Sequence, residues 1–241
     1  MKVYTNEVLI EKRKKLAGII TPIAMFSLIG GLATNFMSAR GESPNPTFIF
    51  ITISLLVIGF VAATISAHLV NHWVKEPRVD QVLARALKGF DNQHVLFNHT
   101  AKIPHILLSP DAIYAITPKI VNGVVSVNNR KWRRAFKFTR LLKFFGEEGL
   151  GNPTVEAETN QAKLERLIET HLSDGENIPV ESLIVFTDPT VELTVTDPAI
   201  PVITSNRLKK YLRQTKQKGA ISHEQRQQLV EIFNPEVRSK E

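Results

Sequence analysis

Residues 103–127 read IPHILLSPDAIYAITPKIVNGVVSV, and this stretch decides the predicted fold. It contains three short apolar runs, 106–108, 112–116 and 124–127, which are rich in aliphatic and β-branched residues. The two segments between these runs contain proline, aspartate, asparagine and glycine, residue types that favour turns. Short apolar runs separated by turn residues are typical of neighbouring strands. We therefore predict a three-stranded antiparallel meander over this stretch.

Composition narrows the class of protein further. The chain has 241 residues, enough for one medium domain or for a small domain with an appendage. It contains no cysteine, which excludes a disulfide framework and a zinc site with thiolate ligands. Its formal charge of +7 and pI near 9.6 favour contact with phosphates, either of nucleic acid or of anionic lipid.

Two longer runs near the N-terminus, 16–37 and 48–70, contain no charged residue. Each exceeds the roughly 20 residues that a helix needs to cross about 30 Å of hydrocarbon. A cleaved signal peptide is the alternative for the first run, but its apolar part is longer than usual and a second run follows. We predict that residues 1–74 are a membrane anchor with two transmembrane helices, at about 16–38 and 48–70.

The basic residues around these runs predict an orientation. A cluster of four lies at 12–15, and Lys75 and Arg78 follow the second run, whereas the connecting segment has Arg40 balanced by Glu42. Because Lys and Arg are retained on the cytoplasmic side, both termini should be cytoplasmic. We expect a multi-pass protein of a bacterial-type inner membrane whose first partner is the lipid bilayer.

The rest of the chain alternates predicted helices and strands, which indicates an α/β domain over 75–215 followed by a C-terminal helix and tail over 216–241. Helical spacing over 79–87 and 154–172 predicts two helices, and short apolar segments predict strands. Asn206 or Ser205 can cap a small helix, and Ser222 with Gln225 has the spacing of a capping box. The predicted strands are 94–98, 183–186, 191–195 and 201–204, and the small helix is 208–213.

One interval, 130–145, contains many basic residues and no acidic one. Placed on a helix, it has a basic side and a side with Trp132 and Phe136, although the separation is imperfect. Three interpretations remain: contact with anionic lipid headgroups, which we favour; packing of the aromatic residues with the charges solvated; and binding of a nucleic-acid backbone. The residues expected to contact the membrane surface or phosphates are Arg130, Lys131, Arg133, Arg134, Lys137, Arg140 and Lys143.

The central stretch resembles the NERD (nuclease-related) domain family, whose members read like "Hvvvgp", "GvfviEtK" and "G.i" across these strands. The first motif is similar to 105–110, the second to 112–119 and the third to 123–125. Downstream, Asn152-Pro153 is similar to the family's "NP..Q", with Glu156 at the glutamine position. The resemblance implies a restriction-endonuclease-like fold, in which a mixed sheet is flanked by helices.

The resemblance also implies a site in which an acidic residue and a Glu-x-Lys hold a divalent metal and a water. Here Pro104 and Thr117 stand at the acidic positions and only Lys119 matches. Our leading hypothesis is a catalytically degenerate domain without a cofactor that acts in binding or assembly at the membrane. The alternative is a Mg²⁺-dependent nuclease that uses Lys119 with a relocated carboxylate, Asp111 or Asp80. A third possibility is an accessory subunit that contacts another protein.

Overall fold

The computed structural model describes residues 1–40, 45–135, 149–172, 178–215 and 221–234. These residues form two compact units. One unit is built from residues 7–78, and the other combines residues 1–6 with the described residues from 79 onward. The chain therefore leaves the second unit after Asn6 and returns to it at Val79.

The unit of residues 7–78 is a pair of long helices. Helix α1 spans Glu7–Ala39, helix α2 spans Pro46–Leu69, and a short π-helical segment, Val70–Val74, follows α2. Both α1 and α2 are long and apolar enough to cross a membrane, which confirms the two predicted helices. Helix α1 begins more than two turns before residue 16, because the charged segment ahead of the apolar run is helical as well.

Glycines let α1 and α2 approach each other closely. A Cβ added at Gly31 would lie 2.9 Å from carbons of Leu56, and one added at Gly59 would lie 2.8 Å from carbons of Leu28. Each glycine therefore receives a leucine of the other helix. Small residues at a helix interface are typical of packing within membranes, where no hydrophobic effect drives helices together.

Hydroxyl groups also connect the two helices. The Oγ1 atoms of Thr34 and Thr52 lie 2.8 Å apart, and Thr21 Oγ1 lies 2.7 Å from Ser66 Oγ. Most large apolar side chains of the pair are exposed, Phe26 to 67% and Phe50 to 72%. The pair thus buries mainly small and polar residues and presents most of its large apolar ones outward.

The other unit is built on two sheets. The strands in the described residues are β1 (Lys2–Thr5), β2 (Val95–Asn98), β3 (His105–Leu108), β4 (Ile113–Lys119), β5 (Gly123–Asn129), β6 (Lys131–Arg134), β7 (Val180–Phe186), β8 (Val191–Pro198) and β9 (Val202–Thr204). A mixed six-stranded sheet has the order β1-β2-β3-β4-β7-β9, and a three-stranded sheet has the order β6-β5-β8. In the larger sheet, β3 is antiparallel to both of its neighbours and the remaining pairs are parallel.

Strand β1 is an edge strand that the sequence analysis did not predict. It pairs in parallel with β2, and the ring of Tyr4 stacks on the ring of Phe97 with centroids 5.5 Å apart. Asn98 Nδ2 donates a hydrogen bond to Thr5 Oγ1, and Asn98 Oδ1 lies 2.9 Å from His105 Nδ1. These contacts fix β1 to a domain that otherwise follows the helix pair in the sequence.

The predicted meander is correct for its first two strands and wrong for the third. Strands β3 and β4 form an antiparallel pair, but β4 then pairs with β7, while β5 pairs with β6 and β8 in the smaller sheet. The apolar side chains of β5, Val125 and Val127, are buried together with Ile184 and Phe186 of β7. Strand β5 is therefore buried, as its composition predicts, but it packs against β7 and does not pair with β4.

Four helices complete this unit within the described residues: α3 (Val79–Ala86), α4 (Pro153–His171), α5 (Ser205–Gln214) and α6 (His223–Phe233). Along β4, Ile113 and Ala115 pack on the face covered by α4 and α6. Tyr114 and Ile116 pack on the opposite face, covered by α3 and α5. The predicted class, a mixed sheet flanked by helices, is confirmed.

The helix ends test the predicted caps. The capping box of Ser222 and Gln225 is present at the start of α6, as predicted. The N-cap of α5 is Thr204 rather than Asn206 or Ser205, so that prediction was wrong. Helix α4 begins after Asn152, whose side chain accepts a hydrogen bond from the backbone N–H of Val155.

The basic interval begins as a strand and not as a helix. Lys131–Arg134 form β6, which pairs with β5 so that its side chains alternate between the two faces of the smaller sheet. The helical placement was therefore wrong for these four residues. The predicted contact residues Lys137, Arg140 and Lys143 lie outside the described residues.

Candidate functional site

The lysine singled out by the resemblance lies at the end of β4 and contacts a carboxylate. Lys119 is only 4% exposed, and its Nζ donates a short hydrogen bond to Oε2 of Glu156 in the first turn of α4. The Glu156 side chain is 47% exposed, so it extends from the buried ammonium group toward solvent. The pair therefore combines a buried cation with a carboxylate that water can reach.

Thr117, which stands at the family's glutamate position, faces the same helix. It is fully buried, and its Oγ1 accepts a hydrogen bond of 2.9 Å from Nδ2 of Asn160. On the neighbouring strand β7, Ser182 Oγ donates to the backbone oxygen of Ala157 at 3.0 Å. These buried groups are neutral, and each is hydrogen-bonded within the sheet and α4.

The other position at which the family has an acid, Pro104, directly precedes β3. Its neighbour His105 pairs with Ile116, which places Pro104 at the same end of the sheet as Thr117. The backbone oxygen of Pro104 accepts a hydrogen bond of 2.7 Å from the N–H of His99. Pro104 thus contributes a main-chain contact and no side-chain ligand.

The two aspartates proposed as relocated ligands lie elsewhere in the domain. Asp111 is in the turn before β4, and the length of that strand separates it from Lys119 by about 20 Å. Asp80 is in the first turn of α3, which packs on the sheet face opposite the one that carries Lys119. The structure therefore brings Lys119 together with Glu156, and not with Asp111 or Asp80.

The donor set around Lys119 has fewer acids than the divalent-metal site that the resemblance implies. Magnesium prefers several oxygen ligands in octahedral geometry, carboxylates above all. Here the Glu156 carboxylate already accepts a hydrogen bond from the Lys119 ammonium group, and the other polar groups are neutral. Among the described residues, no group of three or more His, Asp or Glu is placed to hold a metal ion.

A second group of predicted residues surrounds the smaller sheet. Arg130 donates to Oε2 of Glu158 at 2.6 Å, and this hydrogen bond raises the pKa of the guanidinium group. The guanidinium of Arg134 donates to the backbone and side-chain oxygens of Asn122, at 3.2 Å and 2.8 Å. Two of the four described basic residues of this interval therefore have partners within the domain.

Trp132 lies on the face of β6 that packs against the domain. Its Nε1 donates to Thr154 Oγ1 at 2.8 Å, and its ring lies 6.1 Å from the ring of Phe186. This is the packing that the second interpretation of the interval predicts for its tryptophan. The same geometry keeps the indole from stacking on a nucleic-acid base at the opposite face of the sheet.

Lys131 and Arg133 are exposed on that opposite face. Both line an open cavity of about 670 Å³. Their backbones pair with β5, and within the described part of the chain neither side chain has a hydrogen-bonding or ion-pair partner. We call this surface the cationic sheet face and define it by six residues of β6, β5 and β8. They are Lys131, Arg133, Ser126, Asn128, Thr194 and Thr196.

Glu156 and Asn160 were not among the site residues predicted from the sequence. The sequence contains one indication of a site role for Glu156, which stands where the family has a glutamine. It contains no such indication for Asn160, because many predicted helices contain an asparagine and only the packing of α4 on the sheet shows what this one contacts. Both side chains reach β4 only because α4 packs across its end.

Comparison with known proteins identifies the family of the domain. The family model of the nuclease-related domain matches residues 70–187, about half of the chain, from the end of the helix pair to the end of β7. No match was found among the curated proteins or the solved structures. The mixed sheet flanked by helices is consistent with a restriction-endonuclease-like fold. The chain therefore contains a nuclease-related domain of the NERD family at residues 70–187.

Proposed function

We propose that this protein is a membrane-anchored nuclease-related domain that has lost hydrolytic activity and acts in binding or assembly at the cytoplasmic face of the membrane. One observation carries the proposal. The lysine that matches the family's motif, Lys119, is paired with Glu156, while proline and threonine stand where the family has metal-binding acids. A site of this composition lacks the converging carboxylates that metal-assisted hydrolysis of phosphodiesters needs.

The membrane anchor is supported by the length and the surface of the helix pair. At about 1.5 Å per residue, the 24 residues of α2 extend about 36 Å, more than the hydrocarbon thickness of about 30 Å. Large apolar side chains cover the outside of both helices, where a water-soluble pair would have polar residues. Lipid is the environment that solvates such a surface.

The pairing of the edge strand β1 supports a topology in which the helix pair begins and ends on the same side of the membrane. Strand β1 precedes the helix pair, and its partner β2 follows it, yet both belong to one sheet. Because strands on opposite sides of a bilayer cannot pair, both ends of the helix pair belong on the same side. The cluster of Lys and Arg at 12–15 makes that side cytoplasmic.

A second candidate is a metal-dependent nuclease, favoured by the carboxylate of Glu156 beside Lys119. Magnesium sites that act on phosphates often use only one or two protein carboxylates together with substrate oxygens. In this candidate Glu156 would be the relocated acid, in place of Asp111 or Asp80.

The two candidates differ in an assay of cleavage. Purified full-length protein is incubated with labelled duplex DNA, single-stranded DNA and RNA in Mg²⁺ or Mn²⁺. The full chain is needed because a fragment that begins at residue 75 lacks β1. Our proposal predicts no cleavage that depends on Lys119. Cleavage that Lys119→Ala abolishes and the matched change Lys163→Ala on the exposed face of α4 leaves intact would establish the nuclease instead.

The orientation has its own test, made possible by the absence of cysteine. Single cysteines at Thr47, next to the connecting segment, and at Lys2 are treated in intact cells with a maleimide that does not cross membranes. We expect labelling at position 47 and protection at position 2 until the cells are lysed. Labelling of position 2 in intact cells would contradict the cytoplasmic placement.

A further inference from the structure

The register of the smaller sheet arranges the cationic sheet face in two rows. Arg133 lies opposite Ser126, which lies opposite Thr194, and the second row is formed in the same way by Lys131, Asn128 and Thr196. The rows are two residues apart along each strand, which corresponds to about 7 Å, and neighbouring strands are about 4.8 Å apart. Each row therefore presents one cation beside two groups that donate hydrogen bonds.

No acidic residue belongs to these two rows. Two carboxylates of β8 lie outside the rows: Glu192 is opposite Val124 in the next row, and Asp197 is at the irregularity that follows Thr196. The cavity of about 670 Å³ over the face is lined by Val127, Asn129 and Arg130 in addition to residues of the rows, and it has no acidic lining residue in the described structure. A surface of cations, hydroxyls and amides without acids is complementary to phosphate oxygens.

We propose that the cationic sheet face docks the domain on the phosphate headgroups of an anionic membrane leaflet. This inference rests on the membrane anchor of the proposed function and does not depend on whether the Lys119 site hydrolyses anything. A domain attached to the bilayer meets headgroups at a high effective concentration, so contacts that would be weak in solution become occupied. Both Lys131 and Arg133 are exposed and available for such contacts.

The geometry favours headgroups over single-stranded nucleic acid as the phosphate source. Proteins that bind single strands combine basic residues with aromatic side chains on which bases stack. None of the six residues of the face is aromatic, and Trp132 is directed to the other side of the sheet, against Phe186. What remains is electrostatic contact with several phosphates at once, which a headgroup layer provides.

The test uses the full chain in lipid nanodiscs and measures the distance between the face and the headgroups. A donor fluorophore is attached to Ala199→Cys, an exposed position just after β8 and outside the six residues of the face. The acceptor is a headgroup-labelled lipid in discs of phosphatidylcholine alone or with phosphatidylglycerol. We expect strong energy transfer only in the discs that contain phosphatidylglycerol. Because each basic residue near such a surface contributes about fivefold to binding, the Lys131→Gln and Arg133→Gln double variant should lower the ratio of docked to undocked domain about 25-fold.

A matched double variant controls for net charge. Arg207→Gln with Lys210→Gln removes two exposed charges of α5, and it should change the docked fraction less than about twofold. Equal transfer in both kinds of disc, or equal effects of the two double variants, would overturn the proposal. So would release of the docked domain by stoichiometric duplex DNA, which would identify nucleic acid as the ligand.

Failure of the anchor is distinguishable from failure of docking. A chain that does not incorporate into discs refutes the membrane anchor and the docking with it. A chain that incorporates and shows no dependence on anionic lipid refutes the docking alone. Thermal unfolding of each variant, followed by circular dichroism, shows whether its fold is retained.

Discussion

The two partners of the Lys119–Glu156 ion pair differ in exposure, so substituting one should lower the stability of the protein more than substituting the other. Lys119 is 4% exposed, whereas the side chain of Glu156 is 47% exposed. Glu156→Gln leaves a positive charge buried without a counter-ion. Lys119→Met fills the buried position with an apolar side chain and leaves a carboxylate that water already reaches. The glutamate substitution should therefore be the more damaging one.

The magnitudes follow from the two exposures. Removing one partner of a fully buried pair costs about 3–5 kcal/mol, and removing one partner of an exposed pair costs about 0–1 kcal/mol. Since one partner here is half-exposed, we expect Glu156→Gln to lower the free energy of unfolding by about 2 kcal/mol. Lys119→Met should lower it by less than about 1 kcal/mol. For a domain of this size, 1 kcal/mol corresponds to a change in Tm of about 2–4 °C.

The assay is thermal unfolding of the full chain in detergent, followed by tryptophan fluorescence. The chain has two tryptophans, so Trp73→Phe leaves Trp132 as the reporter, and that residue packs in the same cluster as Ala157 of α4. We expect Tm to fall by about 4–8 °C for Glu156→Gln and by under about 4 °C for Lys119→Met. A fall in Tm for Lys119→Met as large as the fall for Glu156→Gln would refute the reasoning.

Three further predictions follow from contacts in the two units. Trp132→Phe should lower the free energy of unfolding by about 1 kcal/mol, because the buried Thr154 loses its hydrogen-bond donor, and the loss should be smaller in a Thr154→Val background. Thr34→Cys with Thr52→Cys should form a disulfide on oxidation in membranes, since the two Oγ1 atoms are 2.8 Å apart; free thiols after oxidation would contradict the helix packing. Burial raises the pKa of Tyr114, with Glu181 adding to the effect, so its contribution to stability is present below the ordinary pKa of about 10 and is lost as pH rises above it. Tyr114→Phe should therefore flatten the alkaline decrease in stability measured by urea unfolding, and an unchanged pH profile would exclude this residue as its cause.

Much of the secondary structure was predictable because its signals are local. The apolar runs that became α1 and α2, the helix from residue 79, and the β3–β4 pair are each specified by residues within a single segment. The capping box at Ser222 is formed by residues three apart, so its sequence spacing was sufficient. Recognition of the NERD family likewise used short motifs that keep their order along the chain.

The pairing of strands was not predictable, since it depends on distant residues. Strand β1 has four residues and no clear periodicity, and its contact between Thr5 and Asn98 joins positions 93 residues apart. Strand β5 has the same apolar alternation whether it extends the meander or joins another sheet. The burial of Val125 and Val127 beside Phe186 decides between the two.

The sequence by itself determined the two apolar helices, the α/β class and the identity of Lys119 as the residue that matches the family. Only the tertiary structure decided that Lys119 has Glu156 as its partner, 37 residues away, and that β6 directs Trp132 inward and Lys131 outward. The physical reason is that the spacing of apolar residues, which predicts a helix or a strand, depends only on residues close together in the sequence. The partner of a buried charge is set by which elements pack together, and here the packing of α4 across the end of β4 makes that choice.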